Sequence, residues 1–311
     1  MVEPRSSFVD ADAVRLHYLE WDAQNPGKTI AGEHTSPQED SDNIPIVMLH
    51  GLGATADTWR LVAQHFCDHH PALAFDQRGH GLSDQPEGGY DLVTIAEDAI
   101  CAMARLGLGQ VAVVGHGWGA RVALVLAARH PALVSHLILV DCPHVEPRHW
   151  PGMTRERFIS EQPLQEYYNS RTAYLNAMRR EMFSFWSPEV EAIVLANVRE
   201  SPAGRVEERL LPRYQRQIRE SLWEDRALSY YGKVTCPVLL VPAAAQPGLD
   251  EEPPERLESA DEFAAAKGYM AAQVARAIQR CSVLWMPDTA HDIQLQRPRE
   301  LANAITNFLQ E

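Results

Sequence analysis

The feature that most constrains the fold is a series of short apolar runs separated by segments with helical periodicity. The runs are three or four residues long and mostly apolar without alternation, which is typical of strands covered on both faces of a parallel sheet. Alternating strands and helices predict an α/β fold with a mostly parallel central sheet flanked by helices. The predicted strands are Ile46–Leu49, Leu73–Phe75, Val111–Val114, Leu137–Val140, Val238–Val241 and Val283–Trp285.

Two segments interrupt this alternation. Residues 143–232 contain no convincing strand and are rich in Arg, Glu and aromatic residues at helical spacing, with proline as punctuation. They predict an all-helical insertion, so the core domain comprises residues 1–142 and 233–311. Residues 242–262 are acidic and rich in proline, which predicts a surface loop. The polar stretch Gln24–Asn43 predicts an extension of an early hairpin or loop.

Charge and composition narrow the classes of partner. The net charge of −14 over 311 residues argues against nucleic acids and anionic membranes, so a small molecule is the expected partner. The five cysteines are scattered without a C-x-x-C pair, which predicts free thiols and no zinc site. No run is long enough to span a bilayer, and the first residues lack a secretory pattern. We therefore expect a cytoplasmic protein with no metal and no cofactor; its oligomeric state is left open.

The turn Gly115-His116-Gly117-Trp118-Gly119 follows the third predicted strand and opens a helical pattern. In a G-x-S-x-G turn of this kind, a hydrolase carries its nucleophile at the middle position. Here that position is Gly117, which has no side chain to attack with. Because such a turn is tight and strained, glycine keeps its shape while removing its chemistry.

Three other segments place polar groups near predicted strand ends. Met48–Thr55 contains a His-Gly turn, Ala74–Asp84 is a second glycine-rich turn, and Asp288–Pro298 carries His291 between the last strand and the last helix. Backbone N–H groups at Leu52 and Trp118 are candidate donors to a developing oxyanion.

These four segments, in this order, resemble the α/β-hydrolase family over residues 44–142 and 233–311. Residues 143–232 stand where that family has its cap. The turn is similar to the Gly-His-Ser-Trp-Gly elbow of serine hydrolases and to the Gly-His-Asp-Trp-Gly elbow of epoxide hydrolases and haloalkane dehalogenases. Residues 52–55 favour the serine branch.

The resemblance implies a triad in the chain order nucleophile, acid, histidine. Gly117 holds the nucleophile position and His291 that of the base. We expect Asp141, at the end of a core strand, to orient the histidine, and prefer it to Asp250. The implied activity is hydrolysis of a small, largely apolar ester or related carbonyl compound, impaired here by Gly117. Candidate residues of the substrate pocket are His50, His116, Trp150 and Trp186.

The sequence leaves other interpretations open. The chain is either a variant from which Ser or Asp was removed, or a natural protein that lost hydrolysis and binds a small molecule. Alternatively, His291 and Asp141 act without a cofactor as a general base, on water or directly on a substrate. The run Gly115–Ala120 also fits G-x-G-x-x-A, the dinucleotide fingerprint of an oxidoreductase.

Overall fold

The computed structural model describes residues 2–22, 44–141, 146–150, 152–160, 167–253, 255 and 257–311. Cys142 and the stretch Gln24–Asn43 lie outside the described residues. The four described cysteines are free thiols.

In the described residues, eight strands form one sheet in the order β1-β2-β4-β3-β5-β6-β9-β10. The strands from β4 to β10 in this order run parallel, and β2 pairs antiparallel with both β1 and β4. The strands are β1 Arg5–Ala11, β2 Val14–Trp21, β3 Ile46–Leu49, β4 Ala72–Phe75, β5 Val111–His116, β6 Val134–Val140, β7 Val198–Glu200, β8 Val206–Glu208, β9 Val238–Val241 and β10 Cys281–Val283.

Helices connect the parallel strands and cover the sheet. They are α1 Arg60–Ala63, α2 Leu92–Arg105, α3 Trp118–Arg129, α4 Arg155–Ser160, α5 Arg171–Glu181, α6 Pro188–Ala196, α7 Pro212–Glu224, α8 Leu228–Tyr231, α9 Ala260–Ala277, α10 Ile293–Gln296 and α11 Pro298–Phe308. Short 3₁₀ turns lie at Ala56–Trp59 and Pro147–His149.

The sheet is buried on both faces, as its apolar strands predict. Val47 and Leu49 of β3 belong to the core that contains α2 and α3. Ile46 and Met48 point to the opposite face, where α1 and α11 pack. This two-sided burial explains why the central strands show no polar alternation.

The strands β1 and β2, which form a hairpin at the edge of the sheet, are missing from the predicted strands, although an early hairpin or loop was expected before Gln24–Asn43. Strand β1 alternates between exposed and less exposed residues, and the turn uses Asp12 at a φ of +50°. A search for continuous apolar runs overlooks such a strand because its polar residues face water.

The insertion is not all-helical, because β7 and β8 form an antiparallel hairpin between α6 and α7. Each strand has three residues and contributes one buried valine, Val198 and Val206, to an apolar cluster of the insertion that also includes Leu61 and Leu295 of the core domain. Strands this short and this charged leave no recognisable period in the sequence.

Two boundaries near the C-terminal part also differ from the predictions. The last strand is Cys281–Val283, so it begins and ends two residues earlier than the predicted run Val283–Trp285. The predicted loop 242–262 ends at Ser259, since Ser259 and Glu262 form a capping box that starts α9. This long helix is absent from the sequence predictions.

Candidate active site

The glycine-rich turn is a sharp connection between β5 and α3. Gly117 stands between them at φ +53° and ψ −119°, outside the regions that L-residues favour. A Cβ atom on Gly115 would lie 2.5 Å from Ala120 Cα, and one on Gly119 would lie 2.4 Å from the His50 carbonyl oxygen. The two outer glycines are therefore needed for the close approach of strand, turn and helix.

His291 faces the middle of this turn. A Cβ atom on Gly117 would lie 3.1 Å from His291 Nε2 and 3.3 Å from its Cε1. The next atom, Gly51 Cα, is 3.9 Å away. The His291 side chain is 58% exposed, so the ring is open to a ligand. A hydroxyl carried by residue 117 would therefore stand within reach of the imidazole.

The other ring nitrogen of His291 is held by Asp141, the residue directly after β6. The distance from His291 Nδ1 to Asp141 Oδ2 is 2.6 Å. Asp141 adopts a left-handed φ of +48°, and its Oδ1 accepts the Ala243 N–H at 2.8 Å. Asp250 lies exposed in the segment after β9. The structure thus brings Asp141 to His291.

Asp141 also raises the pKa of His291 above its ordinary value. The surroundings of the ring oppose the charged imidazolium, but the hydrogen bond and negative charge of Asp141 outweigh this effect. Asp292 acts in the same direction. The proton on Nδ1 is directed to the carboxylate, which leaves Nε2 as the acceptor that faces Gly117.

Lys267 is a site residue that the sequence analysis missed. Its Nζ lies 2.5 Å from Asp141 Oδ2, and the lysine side chain is 11% exposed. The available signal was a lysine within the alanine-rich stretch 264–272. That signal required recognition of α9, which the sequence analysis assigned in part to a loop.

His116 supports the loop that carries His291. Its Nε2 lies 3.0 Å from the His291 carbonyl oxygen, and the two rings are 4.5 Å apart. Burial, together with the neighbouring His291, lowers the pKa of His116 to about 4. The ring is therefore neutral at neutral pH and donates from Nε2.

His50 is completely buried beneath the turn and does not line an open surface. Its Nδ1 lies 2.8 Å from the Gly51 carbonyl oxygen, and its Nε2 accepts the Gln77 N–H at 3.0 Å. The backbone holds both ring nitrogens, so the structure places His50 as a brace for the His-Gly turn. Burial lowers the pKa of its imidazole.

The two expected oxyanion donors lie on the segments that border Gly117. Trp118 is the first residue of α3, so its N–H is one of the helix-start amides without an intrahelical acceptor. Leu52 follows Gly51, whose Cα borders the space in front of Gly117. Both assignments concern backbone groups and stay predictions.

The two candidate tryptophans lie in different surroundings. Trp150 is buried and stacks on Phe263 of α9, with ring centroids 4.6 Å apart. Trp186 packs against the apolar cluster of the insertion, with the Arg179 guanidinium 5.4 Å from its ring centroid. Neither of these contacts assigns a substrate pocket.

A cavity of about 240 Å³ lies elsewhere, between the N-terminal segment, α1 and α6. Its lining includes Glu3, Arg60 and Ile193 and none of the candidate catalytic residues. In the segments that the structure describes, no three His, Cys, Asp or Glu side chains group as a metal site requires. No helix in these segments is long and apolar enough to cross a membrane.

Comparisons with known proteins agree with this architecture. Residues 44–231 match the family model for the alpha/beta hydrolase fold. The solved structure of E-2-(acetamidomethylene)succinate hydrolase superposes with a TM-score of 0.75 and 20% identity, over 99% of this chain and 100% of that one. Such a likeness shows the fold.

Curated relatives match over shorter stretches. The 2-(acetamidomethylene)succinate hydrolase of Mesorhizobium japonicum is 34% identical over 102 residues, which are 32% of this chain and 37% of the relative. Epoxide hydrolase 2 of Caenorhabditis elegans is 30% identical over 139 residues, 44% of this chain and 34% of the relative. The matched part thus spans little more than a third of either relative.

The chain belongs to the α/β-hydrolase family, and its fold is that family's mostly parallel sheet flanked by helices. Membership of this family replaces the interpretation of Gly115–Ala120 as a dinucleotide-binding fingerprint. The turn is instead the strand-to-helix elbow of that fold, and the His291 imidazole stands in front of it.

Proposed function

We propose that the chain carries the acyl-hydrolase machinery of a serine-hydrolase-like enzyme, with Gly117 in place of the nucleophile. One observation supports this most directly. His291 Nε2 lies 3.1 Å from a Cβ position on Gly117, while His291 Nδ1 lies 2.6 Å from Asp141 Oδ2. A nucleophile, a base and an orienting carboxylate need this spatial order.

The proposal gives each of these residues a role. Asp141 fixes the ring and stabilises the imidazolium, and His291 Nε2 accepts the proton of the attacking group. The N–H groups of Leu52 and Trp118 stabilise the oxyanion of the tetrahedral intermediate. Without a side chain at Gly117 no acyl-enzyme forms, so the proposed hydrolysis is impaired.

The proposed substrate is a small, largely apolar ester or related carbonyl compound. The names of two relatives support a hydrolase, since one is a 2-(acetamidomethylene)succinate hydrolase and one an epoxide hydrolase. The aromatic residues of segment 143–232, which we propose to act as a cap, favour an apolar ligand. The proposal includes no cofactor and no metal.

A direct test compares the chain with its Gly117→Ser variant on short-chain p-nitrophenyl esters. Gly117→Ala is the matched control, because it adds the same backbone strain without a hydroxyl. We expect Gly117→Ser to be faster than both by at least about 10³-fold, since loss of the nucleophile of a serine protease triad lowers kcat by about 10⁶-fold. Adding His291→Ala to Gly117→Ser removes the gain. Equal rates for the serine and alanine variants contradict the proposal.

A second candidate is general-base catalysis by His291 without a covalent intermediate. It is favoured by the open space at Gly117, where the nearest polar atom to a Cβ position is His291 Nε2. A water molecule there would give its proton to Nε2 and attack the carbonyl directly. This candidate predicts turnover by the Gly117 chain that His291→Ala abolishes. Ligand binding without turnover would instead indicate a binding protein.

A further inference from the structure

The Asp141 carboxylate receives two cationic or potentially cationic partners on one oxygen. Lys267 Nζ lies 2.5 Å and His291 Nδ1 lies 2.6 Å from Asp141 Oδ2. The other oxygen accepts the Ala243 N–H. The Asp141 side chain is only 1% exposed, so water does little to screen these charges.

Helix α9 is held in the position that directs Lys267 to Asp141. A Cβ atom on Gly268 would lie 2.5 Å from the Ala245 carbonyl oxygen, so the helix packs directly on the segment after β9. Phe263, one turn earlier, stacks on Trp150. Contacts on both sides of Lys267 therefore fix its backbone.

A buried lysine needs a reason, because burying an ammonium group is costly even when it is paired. An apolar side chain of similar length at this position would avoid that cost. The histidine and the Ala243 N–H already satisfy Asp141 in part. The ammonium therefore acts mainly by partly neutralising the carboxylate, rather than by supplying a missing hydrogen-bond partner.

We propose that Lys267 is a positioning residue that acts on His291 through Asp141, because its ammonium shares the negative charge of Asp141 Oδ2 that His291 also receives. The proposal rests on the proposed function of the His291–Asp141 pair and adds a regulator of its basicity. A base that is too strongly favoured in its protonated form cannot accept a proton from a nucleophile.

Four titratable or charged groups face the His291 imidazole. Asp141 after β6 and Asp292 on the same loop favour the imidazolium, whereas Lys267 from α9 opposes it. His116 at the end of β5 faces the ring as a neutral imidazole, because its pKa is lowered to about 4. Lys267 is the one whose substitution leaves the contacts of the ring in place, because it reaches His291 through Asp141.

The test is an NMR titration of the His291 ring, identified by its loss in His291→Ala. It uses the full chain with Gly117 and requires no turnover, so it is independent of whether Gly117→Ser hydrolyses esters. Lys267→Met removes the charge and keeps an unbranched side chain. Lys267→Arg keeps the charge, and Lys233→Met removes a charge from the exposed Lys233 as a matched control.

We expect the titration midpoint of His291 to move to higher pH in Lys267→Met and to stay unchanged in Lys267→Arg and Lys233→Met. Coincident midpoints for Lys267→Met and Lys233→Met, or a downward shift, overturn the proposal. If Lys267→Met does not fold, Lys267→Gln is measured with the same expectation. Failure of both neutral variants to fold, with Lys267→Arg folded, would assign the charge to folding and also overturn it.

Discussion

His291 Nε2 lies 3.1 Å from the position that a Cβ atom on Gly117 would occupy. This distance joins the turn after β5 to the loop before α10. The two segments are far apart along the chain, and no local sequence pattern pairs them. Gly117 therefore has two separable properties, its backbone conformation and its lack of a side chain. The first concerns stability and the second concerns chemistry.

Any side chain at position 117 should destabilise the fold. Gly117 has a φ of +53°, and a residue with a Cβ atom held in such a region costs about 1–3 kcal/mol. We expect Gly117→Ala to lower the free energy of unfolding by this amount in urea denaturation. Gly232→Ala, with an ordinary φ of −71° and open space around it, is the control and should change little. Equal stabilities for the two variants would disprove strain at position 117.

Gly119, one of the two outer glycines of the elbow, should be more sensitive to substitution than a surface glycine. A Cβ atom on Gly119 would approach the carbonyl oxygens of Leu49 and His50 to 2.5 and 2.4 Å. Since backbone atoms must move, we expect Gly119→Ala to cost about 1–3 kcal/mol. It should also displace the turn that carries Leu52 and reduce ester hydrolysis in the Gly117→Ser background. Gly109→Ala, with nothing within 4 Å, should leave stability and activity unchanged.

The two candidate acids can be separated by matched substitutions in the Gly117→Ser background. We expect Asp141→Asn to lower kcat by about 10⁴-fold, the loss known for this change in a serine protease triad. Asp250→Asn should have no effect, because Asp250 is exposed after β9. A comparable loss from Asp250→Asn would argue against the assignment of Asp141.

The pH dependence of the Gly117→Ser variant should report His291. The pKa of His291 is raised above the ordinary 6.5, because the hydrogen bond and charge of Asp141 outweigh the desolvation of the ring by the surrounding protein, and only the neutral ring accepts a proton. Activity should therefore rise with pH through a midpoint above 6.5. Residual activity of Asp141→Asn should show a lower midpoint, since the carboxylate no longer favours the imidazolium. A profile with an unchanged midpoint would contradict the coupling.

Buried neutral histidines should make the fold sensitive to acid. Burial lowers the pKa of His80 to about 3 and that of His116 to about 4, from 6.5. At pH values between the lowered pKa of each histidine and about 6.5, the unfolded chain binds more protons than the native one. The free energy of unfolding therefore falls as the pH drops below about 6.5. His291 contributes in the opposite sense, because its raised pKa adds stability that is lost at higher pH.

Urea denaturation at several pH values from about 7 to about 5 measures this slope. His80→Asn removes one titrating group, and its amide can still donate to the Arg78 carbonyl oxygen that His80 Nδ1 now contacts at 3.0 Å. We expect a smaller decrease in stability on acidification than in the parent chain. An unchanged slope would show that His80 is not among the responsible groups.

The strands of the core were predictable because a strand that is buried on both faces requires apolar residues at consecutive positions. Ile46–Leu49 and Val238–Val241 have the predicted bounds. Strands β1, β7 and β8 were not predictable in this way, since exposed polar residues or a very short length remove the continuous apolar pattern. The start of α9 was encoded by Ser259 and Glu262, but the acidic and proline-rich residues before it obscured the signal.

By itself, the sequence determined the alternating α/β architecture and the glycine-rich turn around Gly117, because both depend on neighbouring residues and on local backbone sterics. Only the tertiary structure decided which carboxylate meets His291 and that Lys267 joins the pair. Asp141 is 150 residues from His291 and 126 from Lys267 along the chain. Contacts over such separations depend on how the ends of β6 and β9, the His291 loop and α9 pack together, which no local pattern encodes.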